Sequence, residues 1–213
     1  MIETFADRET LADAATNAIA ERLREGGLFV GTGGSTPGPI YDRLAKRDLP
    51  WSRITVTLTD DRKVDPSSDE SNEKLVRDRL LVGGAGAARF LSLREPAEAG
   101  ALLAPCLPAA ATLMGMGGDG HVASLFPNSP ERHEGMTSER LVIPIAMAGL
   151  APFVPRITLT LRALLQTGLV VLAVTGEDKR GVLERIAADP AYAPPAAAIL
   201  RQSTVPVRTI WAA

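Results

Sequence analysis

Leu11, Ala15, Ala18, Ile19 and Leu23 recur at the spacing of one helical face, with Asp7 in front of them as a cap. The chain is therefore expected to open on a helix that Gly26-Gly27 ends. A short apolar run at residues 28–30 then reads as a buried strand. Residues 37–47 read as a short helix and 54–59 as a strand. Ser67-Ser68-Asp69-Glu70 has the form of a capping box, which predicts a helix through about residue 81 with Leu75, Val76, Arg79 and Leu80 in its repeat. Gly83-Gly84-Ala85-Gly86 reads as a flexible connection. Beyond it the pattern predicts a strand at 89–93, a helix at 95–107 and a strand at 111–114. Strands at 141–145 and 156–159 follow, the second running into a helix at 162–167. A strand at 169–174, a helix at 178–188 and a final strand at 207–211 close the chain. The Ala/Pro-rich stretch 191–198 is expected to be a loop ahead of a last helix, not a domain linker.

Strands separated by helices predict an α/β fold, a mostly parallel sheet flanked by helices on both faces, Rossmann-like in character. Ligands of such sheets bind beyond the carboxyl ends of the strands, so the loops there are where chemistry is sought. With 213 residues and 46% apolar content, residues 1–213 are expected to form a single domain around one core.

Charge narrows the partners. Lys and Arg number 23 against 25 Asp and Glu, a net charge of −2, and no basic stripe or run of like charge occurs. No nucleic acid and no membrane is expected as a partner, and any anion must be held locally. Aromatic residues make up 4%, too few for platforms that stack bases. A single cysteine, Cys106, excludes an internal disulfide, and His121 and His133 are the only histidines, so no metal and no cofactor is expected. No run approaches the ~18 apolar residues that span a bilayer, and the start lacks a leader pattern, so a cytoplasmic location is expected. Oligomeric state is left open, as monomer or weak dimer.

The densest chemical signal is Gly115-Met116-Gly117-Gly118-Asp119-Gly120-His121-Val122-Ala123-Ser124-Leu125-Phe126-Pro127, directly after the 111–114 strand. It presents a histidine on a glycine-dense loop, where the backbone can come close to a ligand. Asp119 is near enough in sequence to orient the imidazole. Gly115, Gly117 and Gly120 also fit the dinucleotide fingerprint, but Pro127 and Pro130 leave room for little helix after Gly120. Glu139 precedes the next strand where the fingerprint needs an acid after it, so a nicotinamide site is set aside.

Gly31-Thr32-Gly33-Gly34-Ser35-Thr36-Pro37 joins the first strand to a helix. Its amides and hydroxyls suit a phosphate at a helix N-terminus, and equally suit a tight turn with a Ser/Thr cap and an N-terminal Pro. No Gly-Lys-Ser/Thr follows, so it is not a Walker loop, and it lacks the last glycine of a hydrolase elbow. Asp60-Asp61-Arg62 ends the second strand. Arg62 keeps its charge at any working pH and suits a developing oxyanion or a substrate's oxygens.

Together these segments resemble the 6-phosphogluconolactonase family, grouped with glucosamine-6-phosphate deaminases and ribose-5-phosphate isomerases. The histidine segment resembles that family's signature, and Gly33-Gly34-Ser35-Thr36-Pro37 its phosphate loop. Asp60-Asp61-Arg62 is similar to its Asp-Glu-Arg, and Ser71-Asn72, Pro155 to Thr160 and Val174 to Lys179 resemble three further segments. The resemblance implies a parallel α/β fold like that group's, and His121 as the residue that activates water. It implies a phosphate site of Gly33, Gly34, Ser35, Thr36, Arg156 and Lys179, and Asn72 as a brace for the Asp60 loop. The substrate it implies is a small sugar phosphate lactone, with Asp60 or Asp119 left open as the group that orients His121. Two positions depart from the pattern: Gly118 stands where a glutamate is common, and Asp61 where a glutamate stands. A deaminase of amino-sugar phosphates is the first alternative, disfavoured because Ala123 to Asn128 lacks the carboxylate of that signature. A non-catalytic sugar-phosphate sensor is the second, disfavoured because one helix, without a helix-turn-helix partner, precedes the first strand.

Overall fold

The computed structural model describes residues 1–149 and 153–213. Its strands are β1 (Ile2–Thr4), β2 (Gly27–Gly31), β3 (Ile54–Leu58), β4 (Asp60–Arg62), β5 (Arg89–Phe90), β6 (Ala111–Met114), β7 (Val142–Ile145), β8 (Arg156–Leu159), β9 (Val170–Thr175) and β10 (Val207–Ala212). The helices are α1 (Arg8–Arg22), α2 (Pro37–Leu44), α3 (Asn72–Arg79), α4 (Pro96–Leu103), α5 (Arg132–Thr137), α6 (Leu161–Leu164), α7 (Glu177–Ala188) and α8 (Pro195–Arg201).

Seven strands form a parallel sheet in the order β1-β10-β9-β6-β2-β3-β5. The expected α/β class, a mostly parallel sheet flanked by helices, is what the chain adopts. The run Val170-Val171-Leu172-Ala173-Val174 is buried throughout, as a strand covered on both faces requires. Phe29, Val30, Leu113 and Met114 extend the same core into β2 and β6. Helix α1 starts at Asp7, whose carboxylate accepts the Thr10 amide at 2.8 Å in a reciprocal capping box. Its buried Leu11, Ile19 and the following Leu23 contribute roughly 1.5–3 kcal/mol each through removal from water.

From β2 the chain moves outward through β3 to β5, then returns to place β6 on the other side of β2. The crevice between β2 and β6 is thus the topological switch point of the sheet, where α/β folds hold ligands. The glycine loop after β2 and the histidine loop after β6 are the two loops that flank it.

Several sequence expectations are corrected. The strands at 141–145 and 156–159 do not join the parallel sheet. They form β7 and β8 of a separate antiparallel sheet, β4-β8-β7, whose third member is the Asp60–Arg62 segment that read as a strand end. The helix expected from a capping box at residues 67–70 begins only at Asn72. Asp65 turns those residues back by accepting the Ser67 amide, and the cap is supplied by Ser71 and by the carboxylate of Asp61. Residues 83–87 form a 3-10 turn, the strand at 89 is short, and helix α4 stops ahead of Pro105, whose ring denies the helix a donor. The stretch 191–198 turns helical from Pro195, a residue whose fixed φ suits a first turn. Strand β1 and helix α5 were not expected.

Candidate active site

A cavity of about 250 Å³ lies at the switch point. Thr32 to Pro37 line one side, Gly115 to Gly117 and His121 another, and Asp60, Arg62, Asn72, Arg156 and Lys179 complete the wall. All the sequence-designated residues except Asp119 border it, and Asp119 acts on it through His121.

Asp119 Oδ1 lies 2.6 Å from His121 Nδ1 and also accepts the His121 amide at 3.1 Å. A carboxylate there makes Nδ1 the protonated nitrogen and leaves the lone pair on Nε2. Burial pushes the Asp119 carboxyl up, but the hydrogen bond and charge of His121 outweigh it and hold the group below its usual value. Phe126 packs on the ring with centroids 4.6 Å apart. Gly117 makes the pair possible: a Cβ at this position would stand 2.2 Å from Nδ1 of His121 and 2.8 Å from the Asp119 carboxylate. Between the two carboxylates left open by sequence, the imidazole contact belongs to Asp119.

Asp60 is buried and turned elsewhere. Its Oδ2 accepts the Ser124 hydroxyl at 2.6 Å and its Oδ1 lies 3.0 Å from Thr59 Oγ1. Asn72 donates its side-chain amide to the Asp60 carbonyl at 2.9 Å. Asp61 is spent on the α3 terminus, accepting from the amides of Arg62 at 2.7 Å, Asn72 at 2.6 Å and Glu73 at 3.2 Å, and from the Ser71 hydroxyl at 3.2 Å. Burial raises its carboxyl above the usual value, against the pull of those amide bonds. The other departure, Gly118, has a carboxylate beside it: a Cβ there would lie 3.6 Å from Asp178 Oδ2.

Arg62 and Arg156 are register partners in the antiparallel β4–β8 pair, which sets two guanidiniums side by side on the cavity wall. Arg62 donates through Nη1 to the Glu70 carbonyl, and its buried Nε has no hydrogen-bond partner among the described residues. Burial, then the charge of Arg62, pulls the Arg156 guanidinium below its ordinary value. An anion in the cavity would relieve that crowding.

The glycine loop approaches from the other side. Gly33 passes so close to Asn72 that a Cβ would fall 1.9 Å from its Oδ1. Thr36 stands at the N-cap position of α2, ahead of Pro37, without a side-chain bond to the helix amides, and its Oγ1 lies 3.3 Å from Thr175 Oγ1 at the end of β9. Lys179 comes from the first turn of α7. The Thr32 amide and carbonyl are both held at 2.7 Å by the hydroxyl of fully buried Tyr41. Tyr41, Thr59 and Ser124 were not singled out from sequence. Tyr41 and Thr59 sit in ordinary helix and strand patterns, while Ser124 lay within the histidine segment and carried no separate signal.

Fold and site together define a class: an open parallel α/β protein whose switch-point cavity joins a glycine loop and clustered cations to a histidine–carboxylate pair. Residues 6–211 match the family described as glucosamine-6-phosphate isomerases/6-phosphogluconolactonase, and the chain belongs to that family. It is similar to the 6-phosphogluconolactonase of Caulobacter vibrioides, with 43% identity over 99% of this chain and 97% of the relative. It is also similar to that of Rhizobium meliloti, with 37% identity over 98% and 97%. The crystal structure of a 6-phosphogluconolactonase from Shewanella baltica superposes with a TM-score of 0.94 at 31% identity, covering 100% of this chain and 97% of that one. Among the described residues no helix is long and apolar enough to cross a membrane.

Proposed function

We propose that this protein hydrolyses 6-phospho-D-glucono-1,5-lactone to 6-phosphogluconate, the lactone-opening step of the oxidative pentose phosphate route. The observation that carries the reading is one cavity holding both a carboxylate-oriented histidine and a pair of arginines facing a glycine loop. The full-length likeness to relatives named 6-phosphogluconolactonase supports the choice of substrate.

His121 Nε2 takes a proton from water as the water oxygen bonds to C1 of the lactone. The carbonyl electron pair moves onto oxygen, where Arg62 offsets the new charge. Collapse of the tetrahedral intermediate breaks the bond from C1 to the ring oxygen, and the imidazolium returns its proton to that oxygen. Asp119 keeps the ring in the productive tautomer and steadies the imidazolium. The glycine-loop amides of Gly33, Gly34, Ser35 and Thr36 at the α2 terminus, with Arg156 and Lys179, hold the 6-phosphate. The chemistry as drawn uses neither a cofactor nor a covalent intermediate.

The test is a coupled assay in which glucose-6-phosphate dehydrogenase generates the lactone and the appearance of 6-phosphogluconate is followed. Wild type should outrun spontaneous hydrolysis, and His121→Ala should lower kcat by about 10²- to 10⁴-fold, the usual worth of a general base. A wild type no faster than the uncatalysed reaction, or a His121→Ala variant with wild-type kcat, overturns the reading. Release of ammonia from glucosamine 6-phosphate would replace it with deamination.

A further inference from the structure

Two residues beyond His121 the backbone does something costly. Ala123 has φ +51, the left-handed region that side chains other than glycine rarely enter. It lies in a tight turn closed by the Leu125 amide on the Val122 carbonyl at 3.0 Å, and it borders the cavity. Strain of this kind persists only where neighbouring structure over-determines it. The restraint is Ser124, which is fully buried: its hydroxyl donates to Asp60 Oδ2 at 2.6 Å and its amide to Thr158 Oγ1 at 3.2 Å.

The Asp60 end of that bond is itself anchored. Thr59 Oγ1 lies 3.0 Å from both Asp60 Oδ1 and Thr32 Oγ1. Thr59 is the donor towards both, so its one proton is shared between the Asp60 carboxylate and the Thr32 hydroxyl. The Thr32 backbone is gripped by Tyr41. A buried chain thus runs from the glycine loop through Thr32, Thr59 and Asp60 to Ser124 in the histidine loop.

We propose that Ser124 is a positioning residue that sets the His121 loop through its bond to Asp60, and that Asp60 serves by holding that bond instead of moving a proton. This rests on the lactonase reading for its kinetic test. Asp60 is placed for the task because both its oxygens are engaged by hydroxyls, while the imidazole is engaged by Asp119. With the tie cut, the Ala123 turn can relax and carry the imidazole away from its working position without removing any group that holds phosphate.

The experiment compares Ser124→Ala, Asp60→Ala, the double variant and Asp60→Asn in the lactone assay, each first shown by thermal melting to be folded. Each alanine variant should lose about 10- to 100-fold in kcat, the order expected of a misplaced reacting group, with KM within about threefold of wild type. The double variant should lose no more than the worse single one, since both cut one bond. Asp60→Asn keeps an acceptor for Ser124 and should stay within about tenfold of wild type. A second readout needs no substrate. The downfield Nδ1 proton resonance of His121 should shift or broaden in Ser124→Ala and Asp60→Ala and stay in place in Asp60→Asn. Wild-type kcat in folded Ser124→Ala, losses that multiply in the double variant, or Asp60→Asn as damaged as Asp60→Ala would each overturn the proposal. Should Ser124→Ala not fold, Ser124→Cys, with its weaker donor, should still lower kcat, and wild-type kcat there overturns the proposal equally. If wild type itself fails to open the lactone, the lactonase reading falls, and the resonance alone decides whether Ser124 positions the ring.

Discussion

The two sides of the cavity are built by different means. The glycine-loop side is contiguous, residues 33–36 leading straight into α2, and its donors are mostly backbone amides at a helix start. The histidine and arginine side is assembled from far-separated stretches. Arg62 meets Arg156 only because β4 pairs with β8, and Ser124 meets Asp60 across 64 positions of chain. Backbone amides suit a phosphate that is bound alike before, during and after reaction. Side chains wired to one another suit a base and an oxyanion partner whose demands change along the reaction. Damage to the first side, or to the phosphate-holding Arg156, should therefore appear in KM, and damage to His121, Asp119 or Arg62 in kcat.

Asp119→Asn is the sharpest probe of that division. An amide can present its NH₂ to Nδ1 and so put the proton on Nε2, the nitrogen needed as base. We expect a kcat loss of about 10²- to 10⁴-fold with KM little changed, the scale on which a wrong tautomer acts. The same variant has a second, smaller signature in stability. The Asp119 carboxyl is held below its usual value by His121, so its ionised form favours the folded state. That contribution is present above the ordinary aspartate range, near about pH 4, and fades as pH falls through the lower folded value. Thermal melts should therefore show the variant less stable than wild type at pH 7, with the gap closing in acid. A gap that widened in acid would contradict the sign, and a loss confined to KM would break the comparison itself.

The contiguous side was readable in the sequence because its chemistry is local. Gly33 to Thr36 sit together and announce a helix start, and the histidine loop likewise places Asp119 two residues from its partner. What the sequence could not show was pairing. Residues 141–145 and 156–159 had the same apolar character as strands of the main sheet, and nothing local marks them for an antiparallel sheet with β4. The false capping box at 67–70 failed for a related reason: a carboxylate from Asp61 reached the helix start and moved it to Asn72. Ser124 carried no separate signal of its own, since a serine within a loop motif gives no hint of a buried acid on another strand.

Gly33→Ala tests the contiguous side by crowding. The added methyl would collide with the Asn72 amide, which is buried and bonded to the Asp60 carbonyl, so neither partner can swing clear at low cost. The fold should lose about 1–3 kcal/mol, as overpacked sites do. KM should rise, by roughly tenfold for each 1.4 kcal/mol of lost phosphate binding, while kcat holds. Denaturant melts and initial rates report the two effects separately. A fall in kcat at constant KM would mean that the loop shapes the reacting end as well.

Tyr41→Phe is the mildest way to disturb the same loop, because Tyr41 never touches the cavity. Its hydroxyl accepts from the Thr32 amide and donates to the Thr32 carbonyl, and both backbone groups are buried. Losing that hydroxyl leaves a donor and an acceptor without partners, a penalty of about 1–3 kcal/mol when nothing replaces them. Phenylalanine keeps the ring in place, so its edge contact with Phe29, at 6.4 Å between centroids, survives and the core stays packed. The Thr32 backbone gains freedom at the root of the glycine loop, and binding the phosphate must then order it again. KM should accordingly rise by roughly two- to fivefold, less than 1 kcal/mol of binding, with kcat near wild type. A kcat loss as large as the KM change would show that Thr32 transmits motion onward through Thr59 and Asp60 to the histidine loop. The two sides would then be one mechanically coupled unit, and the split between KM and kcat would hold only for the residues at its extremes.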